Sequence, residues 1–139
     1  MACDLQATSS NGYKFKVETK ILELPEDTAE ELFGVKKVLM GFCGSVADWG
    51  EAVTWLHDTS QRLPRLRDID MVALTSGGHI LRANNLRNWL KVNEKFTAIG
   101  SGMTFALGAL AAGKTPQEAV SIASKLDAAT GMGVKNYTL

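Results

Sequence analysis

Histidine, cysteine and proline are scarce in this chain, and an excess of charge of either sign is missing altogether. Lys plus Arg and Asp plus Glu stand at 15 each over 139 residues, so the formal net charge is zero. Recognition of nucleic acid or of an acidic membrane surface rests on surplus basic charge, and neither partner is expected. No net repulsion opposes self-association. The two histidines, His57 and His79, are far apart in sequence, and no CxxC or His/Cys cluster exists, which argues against a metal site. Cys3 and Cys43 sit in apolar, strand-like contexts and read as buried thiols of a reducing cytoplasm rather than a disulfide. The apolar run Phe105–Ala112 is too short to span a membrane, and no basic segment leads into an apolar one as in a secretory signal. The expectation is a soluble cytoplasmic protein without a cofactor.

What is present is an average globular composition, 45 % hydrophobic and 22 % charged. That supports a single domain over 1–139, long enough to bury roughly two-thirds of its unfolded surface. Met1-Ala2-Cys3 reads as the end of a buried strand, and residues 6–12 (QATSSNG) read as a turn. Residues 13–24 (YKFKVETKILEL) alternate partly and predict a strand or hairpin. Pro25-Glu26-Asp27-Thr28 interrupts it, leaving one short helical turn over Thr28–Phe33. Residues 34–44 (GVKKVLMGFCG) predict a buried strand. Ser45 with Asp48 resembles a capping box, and Val46, Trp49, Val53 and Leu56 form one apolar stripe of a helix bounded by Pro64.

Further along, DMVALTSGGHILRAN predicts two strands about Gly77-Gly78, and FTAIGSG (96–102) a further buried strand. A helix from about Met103 to Ala112 stops at Gly113. The next begins at Thr115-Pro116-Gln117-Glu118, with capping Thr, N1 Pro and N3 Glu together. It turns Ala119, Val120, Ile122, Ala123 and Leu126 inward and ends near Gly131, before a last strand in GVKNYTL. Runs of strands with helices between them suggest a layered α/β sandwich rather than a βαβ repeat.

Two glycine loops could carry chemistry. Gly100-Ser101-Gly102 precedes a helix and reads either as an anion-binding turn or as a plain strand-to-helix turn. Gly41-Phe42-Cys43-Gly44-Ser45 is similar, and the N–H of Gly44 could serve as an oxyanion donor. Three charges are placed oddly: Asp4 and Lys20 beside apolar strand segments, and Asp127 near a helix C-terminus, where a carboxylate opposes the dipole. Such charges need partners, and pattern alone leaves structural pairing and function equally open.

Taken together, four segments resemble the proteasome β-subunit and HslV peptidase family of N-terminal-nucleophile hydrolases. ACDLQAT (2–8) is similar to that family's A-x-D-x-x-A-T, and GFCGSVAD (41–48) to its glycine turn and helix start. AIGSG (98–102) matches its strand-to-helix signature, and DAATGMGV (127–134) resembles D-A-x-S-G-G-x-V. The spacing from Asp4 to Lys20 agrees without a gap. The four motifs stand in the family's order and span nearly the whole chain.

The resemblance implies an αββα sandwich and a threonine peptidase. In the family the hydroxyl of an N-terminal Thr attacks a peptide carbonyl, with that residue's own α-amine as general base. A Lys at the position of Lys20 lowers the amine's pKa by like-charge proximity, and an Asp at the position of Asp4 holds that Lys. The Gly44 N–H would bind the oxyanion, while Ser101, Asp127 and Thr130 would orient the amine and a water. Thr130 replaces the family's Ser. Ile21 and Met40 fall at pocket positions and imply an apolar side-chain preference. Peptide substrates, a homo-oligomeric ring and an ATP-dependent unfoldase as partner follow from the family in the same way.

In the family roughly a dozen residues precede the Asp, as one strand and a turn that open on the nucleophilic Thr. They are absent from these 139 residues. Cys3, mid-strand by alignment, is no substitute nucleophile, and the chain by itself is expected to be inactive. Residues 25–33 look like an insertion, and the family's second helix is missing, since only RLPRLRD separates helix from strand. A truncated form of an active peptidase, a non-catalytic oligomeric homologue, and an unrelated small-molecule-binding domain using the GSG loop are the three readings. The retained Asp4, Lys20, Gly44, Ser101, Asp127 and Thr130 favour the first.

Overall fold

Helix ends are decided within four or five residues, and here the local signals place two of them well. In a computed structural model, which describes residues 1–8 and 11–139, Thr115 and Glu118 form a reciprocal capping box at the head of the helix Pro116–Leu126. The helix Met103–Ala111 ends in a Schellman motif. Gly113, at φ 82°, donates to Leu110 O and Lys114 to Ala109 O, which satisfies carbonyls the last turn would leave open. Two compact units make up the chain: Met1–Ile21 with Phe96–Thr138, and Leu22–Lys95 with Leu139.

In the unit Leu22–Lys95, five strands form one sheet in sequence order: β4 (Ile21–Glu23, whose first residue belongs to the other unit), β5 (Val38–Gly44), β6 (Ile69–Thr75), β7 (Ile80–Ala83) and β8 (Leu90–Val92). β5, β6, β7 and β8 pair antiparallel, with Met40 opposite Ala73 and Phe42 opposite Met71. Along β6 every second residue is buried, the pattern of a sheet with one face on a core. That core joins Val38, Met40, Phe42, Met71 and Ala73 to Ala29 of α1 (Glu26–Phe33) and Ala52, Trp55 and Leu56 of α2 (Val46–His57). The β6–β7 turn is tight: Gly78, at φ 77°, donates to Thr75 O, and Thr75 donates to His79 O.

In the unit Met1–Ile21 with Phe96–Thr138, β1 (Ala2–Asp4) pairs antiparallel with β9 (Val134–Asn136), and β2 (Gln6–Thr8) with β3 (Lys14–Lys16). The two helices, α3 (Met103–Ala111) and α4 (Pro116–Leu126), meet through Ala106, Ala109, Ala119 and Ala123. Small side chains there let the backbones approach closely.

Several expectations need correction. Residues 6–8, expected in a turn, form β2, because Gln6 and Ala7 are buried and pair with Lys16 and Phe15. Ser9 and Ser10 of that expected turn lie outside the described residues. The helix read as one turn over Thr28–Phe33 begins at Glu26 with Pro25 as its cap, since Pro25 O accepts from Ala29 N. Residues 96–102 are not in a strand; an apolar run becomes one only where a partner backbone lies alongside. β8 went unpredicted. Helix α4 ends at Leu126 rather than near Gly131, and Leu126 is 60 % exposed rather than inward. In α2 the buried stripe is Ala52, Trp55 and Leu56, and Val46 is half exposed.

The capping box at Ser45 is only half made. Ser45 Oγ accepts from Asp48 N, but the Asp48 carboxylate turns to the N–H groups of Arg67 and Asp68 at 2.7 Å each. Among the described residues no helix is long and apolar enough to cross a membrane.

Candidate active site

β1 and the segment that follows β3 bring the first pair of charges together. Lys20 Nζ donates to both carboxylate oxygens of Asp4 at 3.0 Å, with the two side chains only 16 % and 15 % exposed. Asp4 Oδ1 also accepts from Gln6 N at 2.9 Å and from Gly131 N at 3.4 Å. The carboxylate is thus held on three sides, and it fixes the ammonium while using two of the three N–H donors that a lysine carries.

A second cluster forms where α4 ends. Asp127 is the C-cap of α4, and its Oδ2 accepts from Thr130 Oγ1 at 2.6 Å and from Ser101 Oγ at 2.7 Å. The Thr130 and Ser101 hydroxyls, in that order, hold the Asp127 carboxyl below the usual carboxylate range; burial opposes them, and the Ala129 N–H and the Lys14 charge add to the lowering. Both hydroxyls spend their protons on Asp127, so each oxygen can serve a third group, such as an amine or a water, only as an acceptor.

The two clusters are tied through the backbone of residues 128–131. Gln6 Nε2 donates to Ala128 O at 2.9 Å, Lys14 Nζ donates to the same carbonyl, and Gly131 N reaches Asp4. A Cβ at Gly131 would lie 3.1 Å from Gln6 Oε1, and one at Gly102 would lie 2.7 Å from Thr130 Oγ1. Gln6, Lys14 and Gly131 escaped the sequence reading. Gly131 stood inside the DAATGMGV motif, while nothing local marks Gln6, whose role depends on a carbonyl 122 residues away.

Gly44 belongs to the unit Leu22–Lys95 and closes β5. It sits at φ 106°, and a Cβ there would meet Asp68 O at 2.3 Å and Asp68 C at 2.9 Å. Only glycine fits. Hydrogen bonds from Ser76 N to Lys37 O and from Ser45 N to Asp68 O bracket the β5–β6 ladder. In an antiparallel ladder alternate residues face the partner strand, so the odd-numbered residues of β5 bond β6 and the even-numbered ones point away. The Gly44 N–H therefore points to the side on which Val38 O accepts from Leu24 N. Met40 is fully buried in the core of that unit, and Ile21 is buried as well; as they stand, neither side chain lines an open surface. Among the described residues no group of three or more His, Cys, Asp or Glu could hold a metal ion.

No protein-family model matches the sequence, and no curated protein matches it. Solved structures do. BPH of Thiobacillus denitrificans superposes with a TM-score of 0.71 at 15 % identity, and its complex with epoxomicin with 0.63 at 20 %. The eukaryotic HslV of Trypanosoma brucei gives 0.66 at 21 %. Each match covers 96 % of this chain and 88 % of the other. The chain therefore has the fold of HslV and of BPH.

Proposed function

We propose that this protein is a subunit of a threonine-type peptidase of the HslV kind and that these 139 residues carry the supporting half of its site. One observation carries the reading: the bidentate Asp4–Lys20 pair and the Ser101–Asp127–Thr130 cluster, far apart in sequence, share one backbone support at residues 128–131. An isolated structural ion pair has no use for the second cluster. A threonine whose amine stands beside Lys20 has a use for both.

In the proposed reaction, the threonine Oγ attacks the scissile carbonyl carbon and its proton passes to the α-amine. The positive Lys20 disfavours a second positive charge beside it and keeps that amine neutral near pH 7. The carbonyl electrons move to oxygen, and the Gly44 N–H donates to the resulting oxyanion. On collapse the C–N bond breaks, the amine returns the proton to the departing nitrogen, and an ester remains on the threonine. A water, positioned by the acceptor oxygens of Ser101 and Thr130, hydrolyses the ester. The subunit would act as a homo-oligomer in the cytoplasm on peptides delivered by an ATP-driven unfoldase.

The test is turnover of a fluorogenic peptide by the protein from its native source, with its N-terminus read by intact mass. A chain that begins with Thr upstream of Asp4, cleaves the peptide and loses all activity on Lys20→Ala carries the proposal. The 139-residue chain is expected to be silent. Epoxomicin, which BPH of T. denitrificans binds, is a second probe and should add its mass to the active form alone. A native chain that begins at Met1 or Ala2, remains silent and elutes as an oligomer would leave a non-catalytic homologue in its place.

A further inference from the structure

Asp48 stands at the third position of α2, far along the chain from every cluster above, and its carboxylate makes an unusual choice of partners. Instead of capping its own helix, Oδ2 accepts from the backbone N–H groups of Arg67 and Asp68 at 2.7 Å each. Those two bonds hold the segment that leads into β6. The carbonyl of the same Asp68 accepts from Ser45 N at 2.6 Å and fills the space where Gly44 would carry a Cβ. Ser45 Oγ in turn accepts from Asp48 N at 3.4 Å, so the chain of contacts closes on itself: Asp48, residues 67–68, Ser45 with Gly44, and back to Asp48.

We infer that Asp48 is a positioning residue for the oxyanion donor, setting the direction of the Gly44 N–H through the Arg67–Asp68 backbone. The inference rests on the reading of Gly44 as that donor. Its physical basis is independent of activity. Gly44 has no side chain to lock it, and φ 106° lies where a glycine backbone is soft. The β5–β6 ladder orders it from one side only, because the N–H itself points away from β6. What remains to fix the turn is the hydrogen bond from Ser45 to Asp68 O and the wall that the Asp68 carbonyl makes against the Gly44 Cα. Both stay in place only while residues 67–68 stay in place. A single side-chain oxygen that accepts both backbone N–H bonds anchors the two residues together. An oxyanion donor must be pre-aligned, since reorganising it during the reaction would forfeit its benefit.

The experiment compares Asp48→Ala and Asp48→Asn with the unaltered 139-residue chain by amide NMR. Asn keeps an acceptor oxygen for Arg67 and Asp68; Ala keeps none. In Asp48→Ala the Gly44 amide resonance is expected to shift, and exchange of the Ser45 N–H to speed up about tenfold, the scale of one lost hydrogen bond to a charged group. In Asp48→Asn both should stay near the original, with the Met71 methyl resonance unmoved as a check on the core. Changes confined to Arg67 and Asp68, with Gly44 and Ser45 unaltered in Asp48→Ala, would overturn the inference. Should Asp48→Ala fail to fold, Asp48→Asn decides it through the Ser45 exchange rate: retention of protection supports the inference, and loss of protection with the oxygen acceptor present overturns it. In a form that turns over peptide, Asp48→Ala should lower kcat and leave KM unchanged, whereas a residue of general structural importance would disturb both. If no form turns over, the peptidase reading fails, and the amide measurements still answer for Asp48.

Discussion

A Cβ placed on Gly102 would come within 2.7 Å of the Thr130 hydroxyl oxygen and 3.1 Å of the Ala123 methyl. The second glycine of the GSG loop is therefore required by its neighbours on α4 and beyond, and not by its own φ of −78°. Gly102→Ala should push Thr130 away from Asp127 and destabilise the chain by roughly 1–3 kcal/mol, the usual cost of overpacking. Urea denaturation measures the loss. The paired variant Gly102→Ala, Thr130→Ala removes the clashing oxygen and should recover part of it.

Gly44 and Gly108 should answer the same substitution with opposite signs. At Gly44 a methyl meets backbone atoms that cannot rotate aside, and the φ of 106° is hostile to any side chain. Gly44→Ala should cost on the order of 3 kcal/mol or more. At Gly108, inside α3, a methyl meets nothing within 4 Å, and Gly108→Ala should stabilise by roughly 0.5–1 kcal/mol through helix propensity. Thermal melting of the two variants gives both signs.

Asp4 is the more expensive half of its pair to lose. Removing it strands a mostly buried ammonium and frees the Gln6 and Gly131 N–H groups, whereas Lys20→Met leaves Asp4 those two bonds. Asp4→Ala is expected to cost about 2–4 kcal/mol, somewhat under the value for a fully buried pair because both side chains keep some exposure. Lys20→Met should cost clearly less in the same denaturation series. Equal losses would show that the backbone bonds to Asp4 contribute nothing.

Asp127 should titrate below the ordinary carboxylate range. Its folded-state pKa is depressed, chiefly by Thr130 and then by Ser101. The sign follows from linkage: the stabilisation is fully present above the unfolded value of about 3.9 and is lost as pH falls through the lower folded value. Thr130→Val should raise the Asp127 pKa more than Ser101→Ala does, and the two together should bring it close to the ordinary value. Carboxyl carbon NMR across the acid range checks the order. Thermal stability of either variant should depend less on pH below about 4, where the ordinary carboxylate protonates.

The start of α4, the end of α3 and the β6–β7 turn were legible because their causes are local. Thr115 and Glu118 reach each other within one turn, Gly113 takes the left-handed turn that its own missing side chain allows, and Gly78 does the same between β6 and β7. The motifs also singled out Asp4, Lys20, Ser101, Asp127 and Thr130, which the structure joins by hydrogen bonds within two clusters. What the sequence could not carry was any contact whose partner lies far along the chain. Residues 96–102 are as apolar as a strand yet have no place in a ladder, and residues 6–8 look like a turn yet pair with 14–16, because sheet membership depends on a neighbouring backbone and not on composition. Asp48 shows the limit most plainly. Its spacing from Ser45 suggested a cap, which local geometry permits, but two N–H groups 19 and 20 residues away claimed its carboxylate once β6 had been laid against β5. A side chain's hydrogen bonds go to whatever the tertiary structure brings within 3 Å, and only interactions within a turn or two can be read before folding is known.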